Sequence, residues 1–297
     1  MTAKLYVVAT PIGNLDDVTL RALEVLSAVD LILAEDTRRT RKLLSHFEIR
    51  KTLQSLHEHN EEAQATGLVA RLLAGESMAL VSDAGTPLVS DPGFPLLRAA
   101  IAAGVTVVPV PGPSAVLAAL TASGLPTDRF LFIGYLPRKK TARRRVLEDL
   151  AAEPGTVVFL ESPRRLGSAL AAAAEALGPR PAAVARELTK VHEEVVRGTL
   201  PEVASHFAGE PARGEVTVCV AGRGSAVGTS EARGEIAAAI AALDRDDVRR
   251  RYEAMLAGGM SRTDARKQLA ADSGVSRREI YRVLLADGRD DPASEEE

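Results

Sequence analysis

The feature that most constrains this chain is the alternation, through its first 125 residues, of short apolar runs with helical segments. LYVVAT (5–10), LILAE (31–35), TLQSLH (52–57), MALVSD (78–83) and VTVVPV (105–110) have strand character. Helical patterns begin near Val18, Arg38, Asn60 and Phe94, and SAVLAALTAS makes a further helix. Strands that are apolar almost throughout, rather than at every second residue, are covered on both faces. The pattern therefore predicts a mainly parallel sheet with helices on both sides. In such a sheet the ligand crevice lies beyond the carboxyl ends of the strands.

The segments that follow the strands fit that expectation. They are TPIGN, AEDTRR, HEHNE, SDAGTPLVSDPG and PGPSA, rich in Gly, Pro and polar groups, whereas the returns AAGV and LLAGES are short and plain. A second α/β region follows, with strands at FLFIGYL (130–136), TVVFLE (156–161), PAAVARELT (181–189) and EVTVCVAG (215–222). Its helices fall near 141–152, 164–177 and 199–208. The fold class is α/β, with an N-terminal α/β domain over 1–125 and a second over 126–224. A Gly/Ser linker opens the region 225–290, a small C-terminal helical, helix-turn-helix-like domain. DDPASEEE closes the chain as an acidic tail.

Composition excludes several classes. With 46% hydrophobic and 26% charged residues in 297, the chain is globular rather than disordered. Aromatics are only 3%, which argues against a sheet that stacks many bases. A net charge of −3 does not announce a nucleic-acid binder, so any such role rests on local patches. The lone cysteine, Cys219, lies in the apolar run VTVCV and reads as a core thiol in a reducing cytoplasm. MTAKLYVV enters a strand without a signal-peptide pattern. Residues 99–127 carry no charge, but Pro109, Pro111, Gly112 and Pro113 break them, so no membrane span is expected.

Two loops carry candidate ligand chemistry. ATPIGNL (9–15) brings a Gly to a strand-to-helix turn, where backbone can approach a ligand, although a plain turn explains it equally well. SDAGTPLVSDPG (82–93) is richer: Pro87 and Pro92 stiffen it, Gly85 relaxes it, and Asp83 is placed to accept hydrogen bonds. The alternative is an Asx-type turn that satisfies only itself. No GxxxxGK[ST] phosphate loop and no HExxH or CxxC metal pattern is present, so no metal is expected.

TPIGNLDDVTLRALEVL, AEDTRRTRKLL, SLHEHNE, VSDAGTPLVSDPG, VPGPSA, FLESPRR and ARELTKVHEE occur in this order, and the resemblance they carry spans roughly residues 4–285. In these strings the chain resembles the tetrapyrrole methylase superfamily. Within it the chain is similar to the branch that 2′-O-methylates a decoding-region cytidine of 16S rRNA. The resemblance implies a tetrapyrrole methylase-like fold, S-adenosylmethionine in a cleft between two domains, a homodimer, and the small ribosomal subunit as partner. It also implies that Ile12, Asp83, Thr86, Ser114, Ala115 and Leu160 border the cofactor, with residues near Val220 and Ala221 on the adenine side.

A sulfonium methyl is already electrophilic, so the protein must place the acceptor hydroxyl in line and help remove its proton. Glu35, Asp36, His57, His59, Glu161, Glu187 and Lys190 lie in or beside strand-end motifs. Glu35, His57, Glu187 and Lys190 head this set, and the sequence does not single out one. His57 and His59 flank Glu58 and would share a side of an extended segment, or be plain surface histidines. Three basic runs lie near the expected crevice: Arg38, Arg39, Arg41 and Lys42; Arg138, Lys139, Lys140, Arg143, Arg144 and Arg145; and Arg164 with Arg165. They are read as phosphate contacts or as solvated helix faces. In the tail, Ser261 with Asp264 and Ser276 with Glu279 have capping-box spacing. Arg277, Arg278 and Arg282 decorate the last helix, for RNA binding or for packing in a dimer. Two other functions stay open: a corrin or sirohaem-pathway C-methyltransferase, and a non-catalytic RNA-binding assembly factor.

Overall fold

The computed structural model describes residues 3–209, 214–225, 245–273, 280–281 and 283–284. The chain divides into two compact units, Met1–Val227 and Gly228–Glu297. The first unit is built on two five-stranded sheets.

The first sheet comprises β1 (Lys4–Val8), β2 (Leu31–Ala34), β3 (Thr52–Ser55), β4 (Met78–Val81) and β5 (Thr106–Val110). Its order is β3-β2-β4-β1-β5, and every pairing is parallel. The intervening helices are α1 (Leu20–Ala28), α2 (Thr37–His46), α3 (Glu61–Leu73) and α4 (Phe94–Ala102). The chain steps outward from β1 to β2 to β3, then returns to β4 and crosses to β5. Right-handed crossovers in opposite directions put α1 and α2 on one face and α3 and α4 on the other.

The side chains obey this division. Ile32, Ala34, Ala79 and Val81 pack with Ala22, Leu26 and Leu44. Their chain neighbours Leu31, Leu33, Met78 and Leu80 pack with Leu68, Leu72, Leu96 and Ala100 on the opposite face. Double coverage is why these strands are apolar at successive positions. The winding direction reverses between β4 and β1, so their carboxyl ends open a crevice.

The helices start where polar caps allow. Thr19 accepts the Ala22 N–H at 3.1 Å for α1, and Asp36 accepts the Arg38 N–H at 2.8 Å for α2. Ser114 caps α5 (Ala115–Ser123) through the Leu117 N–H. Each such cap is worth about 1 kcal/mol. The charge-free stretch over 99–127 resolves into the end of α4, β5, a Pro-Gly-Pro turn and α5. Among the described residues, no helix is long and apolar enough to cross a membrane.

The second sheet contains β6 (Phe130–Tyr135), β7 (Thr156–Glu161), β8 (Pro181–Arg186), β9 (Glu194–Thr199) and β10 (Val216–Val220). Its order is β6-β7-β10-β8-β9; β6 runs parallel to β7, while β10 is antiparallel to both β7 and β8. Helices α6 (Lys140–Asp149), α7 (Leu166–Leu177) and α8 (Leu200–His206) cover one face through Val157, Phe159, Val184 and Val218. Helix α5 covers the other, packing Val116, Ala119 and Leu120 on Val158, Ala185 and Cys219. Although α5 precedes residue 126, its core belongs to the second sheet. Strand β9 has no counterpart in the sequence reading. It is the outer strand, only partly buried, and EVVRGT mixes polar with apolar positions.

The second unit holds α9 (Arg245–Ala257) and α10 (Arg262–Ser273), with Ile280 and Leu284 packing against Val248, Tyr252, Ala265 and Leu269. Ser261 accepts the Asp264 N–H at 3.1 Å, which sets the start of α10 as the capping-box spacing predicts. Most of the Gly/Ser linker, Ser276, Arg277, Arg278, Glu279 and Arg282 lie outside the described residues.

Candidate active site

A cavity of ≈ 340 Å³ opens within the first unit, walled by residues from both sheets. The first half of the chain contributes Ile12 after β1, Glu35 after β2, Arg39 on α2, Asp83–Thr86, Val89 and Asp91 after β4, and Ser114–Val116 at the start of α5. The second half contributes Tyr135 on β6, Leu160–Pro163 at the end of β7 and Gly214–Thr217 leading into β10. The volume falls in the range of small-molecule sites, roughly 300–1,000 Å³.

Backbone geometry holds the richest loop in place. Thr10 and Gly85 exchange both backbone hydrogen bonds, at 2.8 and 2.9 Å, tying the loop after β1 to the loop after β4. The Thr86 hydroxyl donates to the Pro113 carbonyl at 3.2 Å, which joins the loop before α5. Between these ties the chain accepts unfavourable conformations: Leu88 and Ser90 have φ of 74° and 69°. Left-handed backbone at non-glycine residues costs roughly 1–3 kcal/mol and persists where the surroundings impose it.

The wall is acidic. Asp83 accepts the Asp36 N–H at 2.9 Å and faces the Arg39 guanidinium at 3.5 Å. Glu161 has no exposed side-chain surface; it accepts from Arg165 at 2.9 Å and from the Ser162 N–H at 2.7 Å. Glu215 lies 3.9 Å from Lys190. Glu35 is pushed above the usual carboxylate range by burial and by Asp83. Asp91 is pushed up to about 6 by burial, with Glu35, Asp83 and Glu215 adding to the rise and a hydrogen bond with Ser82 opposing it. The Tyr135 phenol is also raised, first by burial and then by Glu215, Asp91, Glu161 and Glu35. A wall with five carboxyls and one arginine among the described residues favours a cationic ligand.

All six residues expected to border a cofactor, Ile12, Asp83, Thr86, Ser114, Ala115 and Leu160, lie on this wall, as do Glu35 and Glu161. His57, Glu187 and Lys190 do not. His57 follows β3, the far edge strand of the first sheet, separated from β1 by two strands. Its Nε2 lies 3.2 Å from the Asn60 amide within the turn that starts α3. His59 stands 82% exposed beside Glu58. Asp36 is a helix cap held by Arg38, which lowers its carboxyl to about 2. Glu187 and Lys190 pair at 2.9 Å behind Glu215, and that pairing holds the Glu187 carboxyl low.

Val220 and Ala221 are fully buried in the sheet and lie away from the cavity wall. Because β10 is antiparallel to β7, its beginning, not its end, lies beside Glu161: Val216 pairs with Glu161 and Thr217 with Leu160. Among the titratable wall residues, the sequence reading singled out neither Asp91, Tyr135 nor Glu215. Asp91 belongs to the Gly- and Pro-rich loop 82–93, whose composition could have flagged it, whereas Tyr135 and Glu215 carry no local signal.

The basic runs divide. Arg38, Arg39, Arg41 and Lys42 are exposed on α2, and Arg39 and Lys42 also line a smaller neighbouring hollow of ≈ 160 Å³ with Thr10 and Asp83. Arg143 is buried, its Nη1 directed to the Ser168 hydroxyl at 3.4 Å, and Arg144 pairs with Glu148 along α6. Arg165 is committed to Glu161 and to the Leu136 carbonyl. Arg138, Lys139, Lys140, Arg145 and Arg164 remain on the surface.

Comparison with known proteins accords with this architecture. The family model for Tetrapyrrole (Corrin/Porphyrin) Methylases matches residues 4–204. A protein of Mesorhizobium japonicum named ribosomal RNA small subunit methyltransferase I is 49% identical over 283 residues, covering 95% of this chain and 91% of that protein. One of the same name from Halalkalibacterium halodurans is 46% identical, covering 94% and 93%. The crystal structure of uroporphyrin-III C-methyl transferase from Thermus thermophilus complexed with S-adenyl homocysteine aligns with a TM-score of 0.52 at 21% identity. That alignment covers 74% of this chain and 98% of that one, a likeness of fold. By sequence and fold, the chain belongs to the tetrapyrrole methylase family, among the proteins named ribosomal RNA small subunit methyltransferase I.

Proposed function

We propose that this chain is an S-adenosylmethionine-dependent methyltransferase of small-subunit ribosomal RNA, acting on the 2′-hydroxyl of a decoding-region cytidine. The observation that carries the reading is the single acidic cavity on which Ile12, Asp83, Thr86, Ser114, Ala115 and Leu160 converge from two sheets. The names of the relatives support an rRNA substrate, and the S-adenyl homocysteine complexed with the Thermus enzyme supports the donor.

The residues present fit that donor. A sulfonium and an ammonium are cations, and the carboxyls of Asp83 and Glu35 on the wall suit them. Arg39 and the N-terminal turn of α5 offer positive partners for a carboxylate. Ile12, Val116, Leu160 and Val216 supply apolar surface for a purine ring. When bound, the donor supplies an electrophilic methyl group. The protein orients it, keeps water from it and provides a carboxylate for the acceptor's proton. Exposed Arg38, Arg41 and Lys42 beside the mouth suit RNA phosphates. A cytoplasmic homodimer acting on the small subunit, with domains at 1–125, 126–224 and 225–290, goes with this reading.

The test has two parts. Calorimetric titration of the protein with S-adenosylmethionine should give saturable binding, and ribose methylation mapped on 16S rRNA from cells lacking the protein should show one missing mark. No binding at high donor excess, or an unchanged ribose map, would refute the proposal.

A further inference from the structure

We infer that Asp91 is the proton acceptor of the reaction, the group that takes the hydrogen of the RNA hydroxyl as its oxygen is methylated. The inference rests on the function proposed above and names a catalytic residue within it.

Among the described residues, five carboxyls face the cavity, and four are already engaged. Asp83 holds the Asp36 N–H and Arg39. Glu161 holds Arg165 and the Ser162 N–H. Glu215 faces Lys190, and Glu35 receives a backbone hydrogen bond from Asp83 with Arg39 also near. A carboxylate committed to a cation or to backbone donors is held as a structural partner, and the same contacts offset part of the rise at Glu35. Asp91 has the Ser82 hydroxyl, whose oxygen also lies 3.2 Å from the Ala84 carbonyl.

Its surroundings work in the same direction. The groups that face Asp91 are Glu35 from the end of β2, Asp83 from its own loop, Glu215 from the start of β10 and Tyr135 from β6. None of these is a cation. Burial first, with these like charges adding to it against the Ser82 hydrogen bond, raises the carboxyl to about 6, so it is mainly ionised at neutral pH yet still basic enough to accept a proton. The loop positions it firmly: left-handed Ser90 precedes it, and the Gly93 N–H that follows donates to Glu61 Oε2 on α3.

The step balances without a further reactant. The hydroxyl oxygen bonds to the methyl carbon, the carbon–sulfur bond breaks with its electron pair left on sulfur, and the hydroxyl proton passes to Asp91. Asp91 then returns it to water through the open cleft.

The experiment uses the full chain, donor with a labelled methyl group, and small ribosomal subunits. D91N should bind S-adenosylmethionine within about fivefold of the parent but turn over about 100-fold or more slowly. The parent's rate should fall tenfold per pH unit below about 6, and D91N should lose this acidic limb. D91E, which keeps the carboxyl, should recover part of the rate together with the limb. E35Q, which removes a neighbouring charge, should move the limb to lower pH. D91N turning over within threefold of the parent, keeping the limb, or failing to bind the donor would each overturn the assignment. A parent protein that binds no donor would overturn the proposed function with it, so the two failures are told apart by the parent's titration.

Discussion

Replacing Arg165 with methionine tests how the second half of the chain supports the cavity. Arg165 begins α7 and reaches back to Glu161, whose side chain has no solvent-exposed surface. The pair is 2.9 Å apart, and the same guanidinium nitrogen donates to the Leu136 carbonyl. Arg165→Met leaves a buried carboxylate without its cation, a change that ordinarily costs about 3–5 kcal/mol. Loss of the Leu136 hydrogen bond adds about 1 kcal/mol. The Ser162 N–H donates to Glu161 at 2.7 Å in parent and variant alike, so the carboxylate is never without a donor and the penalty stays at its low end, about 3 kcal/mol net. For a cooperative unit of this size each kcal/mol moves Tm by about 2–4 °C, which gives a drop of roughly 6–12 °C.

Thermal unfolding of the donor-free protein reads this directly, with Arg164→Ala as the control. Arg164 is exposed and should change stability by no more than about 0.5 kcal/mol. The double variant Glu161→Gln/Arg165→Met removes both charges and should recover much of the loss, because the penalty lies in the orphaned carboxylate rather than in the missing bond. An Arg165→Met protein melting within about 1 °C of the parent, while its affinity for RNA falls tenfold, would refute this reasoning. It would return Arg165 to the phosphate-contact role that its sequence neighbours suggested.

Other perturbations probe different parts of the site. Asp91→Asn should stabilise the donor-free protein: the folded carboxyl is raised from 3.8 to about 6, so its ionised form opposes folding above pH 6 and the opposition fades as pH falls toward 3.8. The full shift corresponds to about 3 kcal/mol, reduced to about 1.5 because the carboxyl keeps some contact with water. Melting curves should show a gain at pH 7.5 that shrinks by about half at pH 5; a pH-independent gain would contradict it. Gly13→Ala places a Cβ 2.5 Å from Lys190 Cγ and 2.9 Å from the Leu188 carbonyl, where the loop after β1 meets the loop after β8. It should cost about 1–3 kcal/mol and weaken donor binding through the displaced Ile12, and unchanged melting with unchanged affinity would contradict it. Cys219, buried with its thiol pushed up to about 12, should resist alkylation in the native protein and react freely in denaturant. Equal rates in both would contradict it.

The first half of the chain was legible because parallel strands buried on both faces write a continuous signal. Leu31 to Ala34 are all buried, two toward each helical layer, so the run itself declares the double coverage. A parallel sheet also sends every strand's carboxyl end to one side, so Ile12, Glu35 and Asp83 could be grouped from their positions in sequence alone. His57 obeys the same rule and still misses the cavity. A crevice forms only where the winding reverses, between β4 and β1, and strand order is set by crossovers that no local pattern encodes.

The second half breaks the rule itself. With β10 antiparallel to β7, a loop that precedes a strand stands beside a loop that follows one, so Glu215 reaches the cavity while Ala221 is carried to the opposite end. Alternation of apolar residues along VTVCV is the same in either direction, and direction alone decides which end of β10 meets the ligand. The same holds for Tyr135: its place on the wall comes from β6 lying parallel beside β7, a long-range pairing that breaks register between Phe132 and Tyr135. The residues that crowd Asp91 thus come from both sheets. Their joint effect on its carboxyl is a property of the assembled cavity and of no segment taken alone.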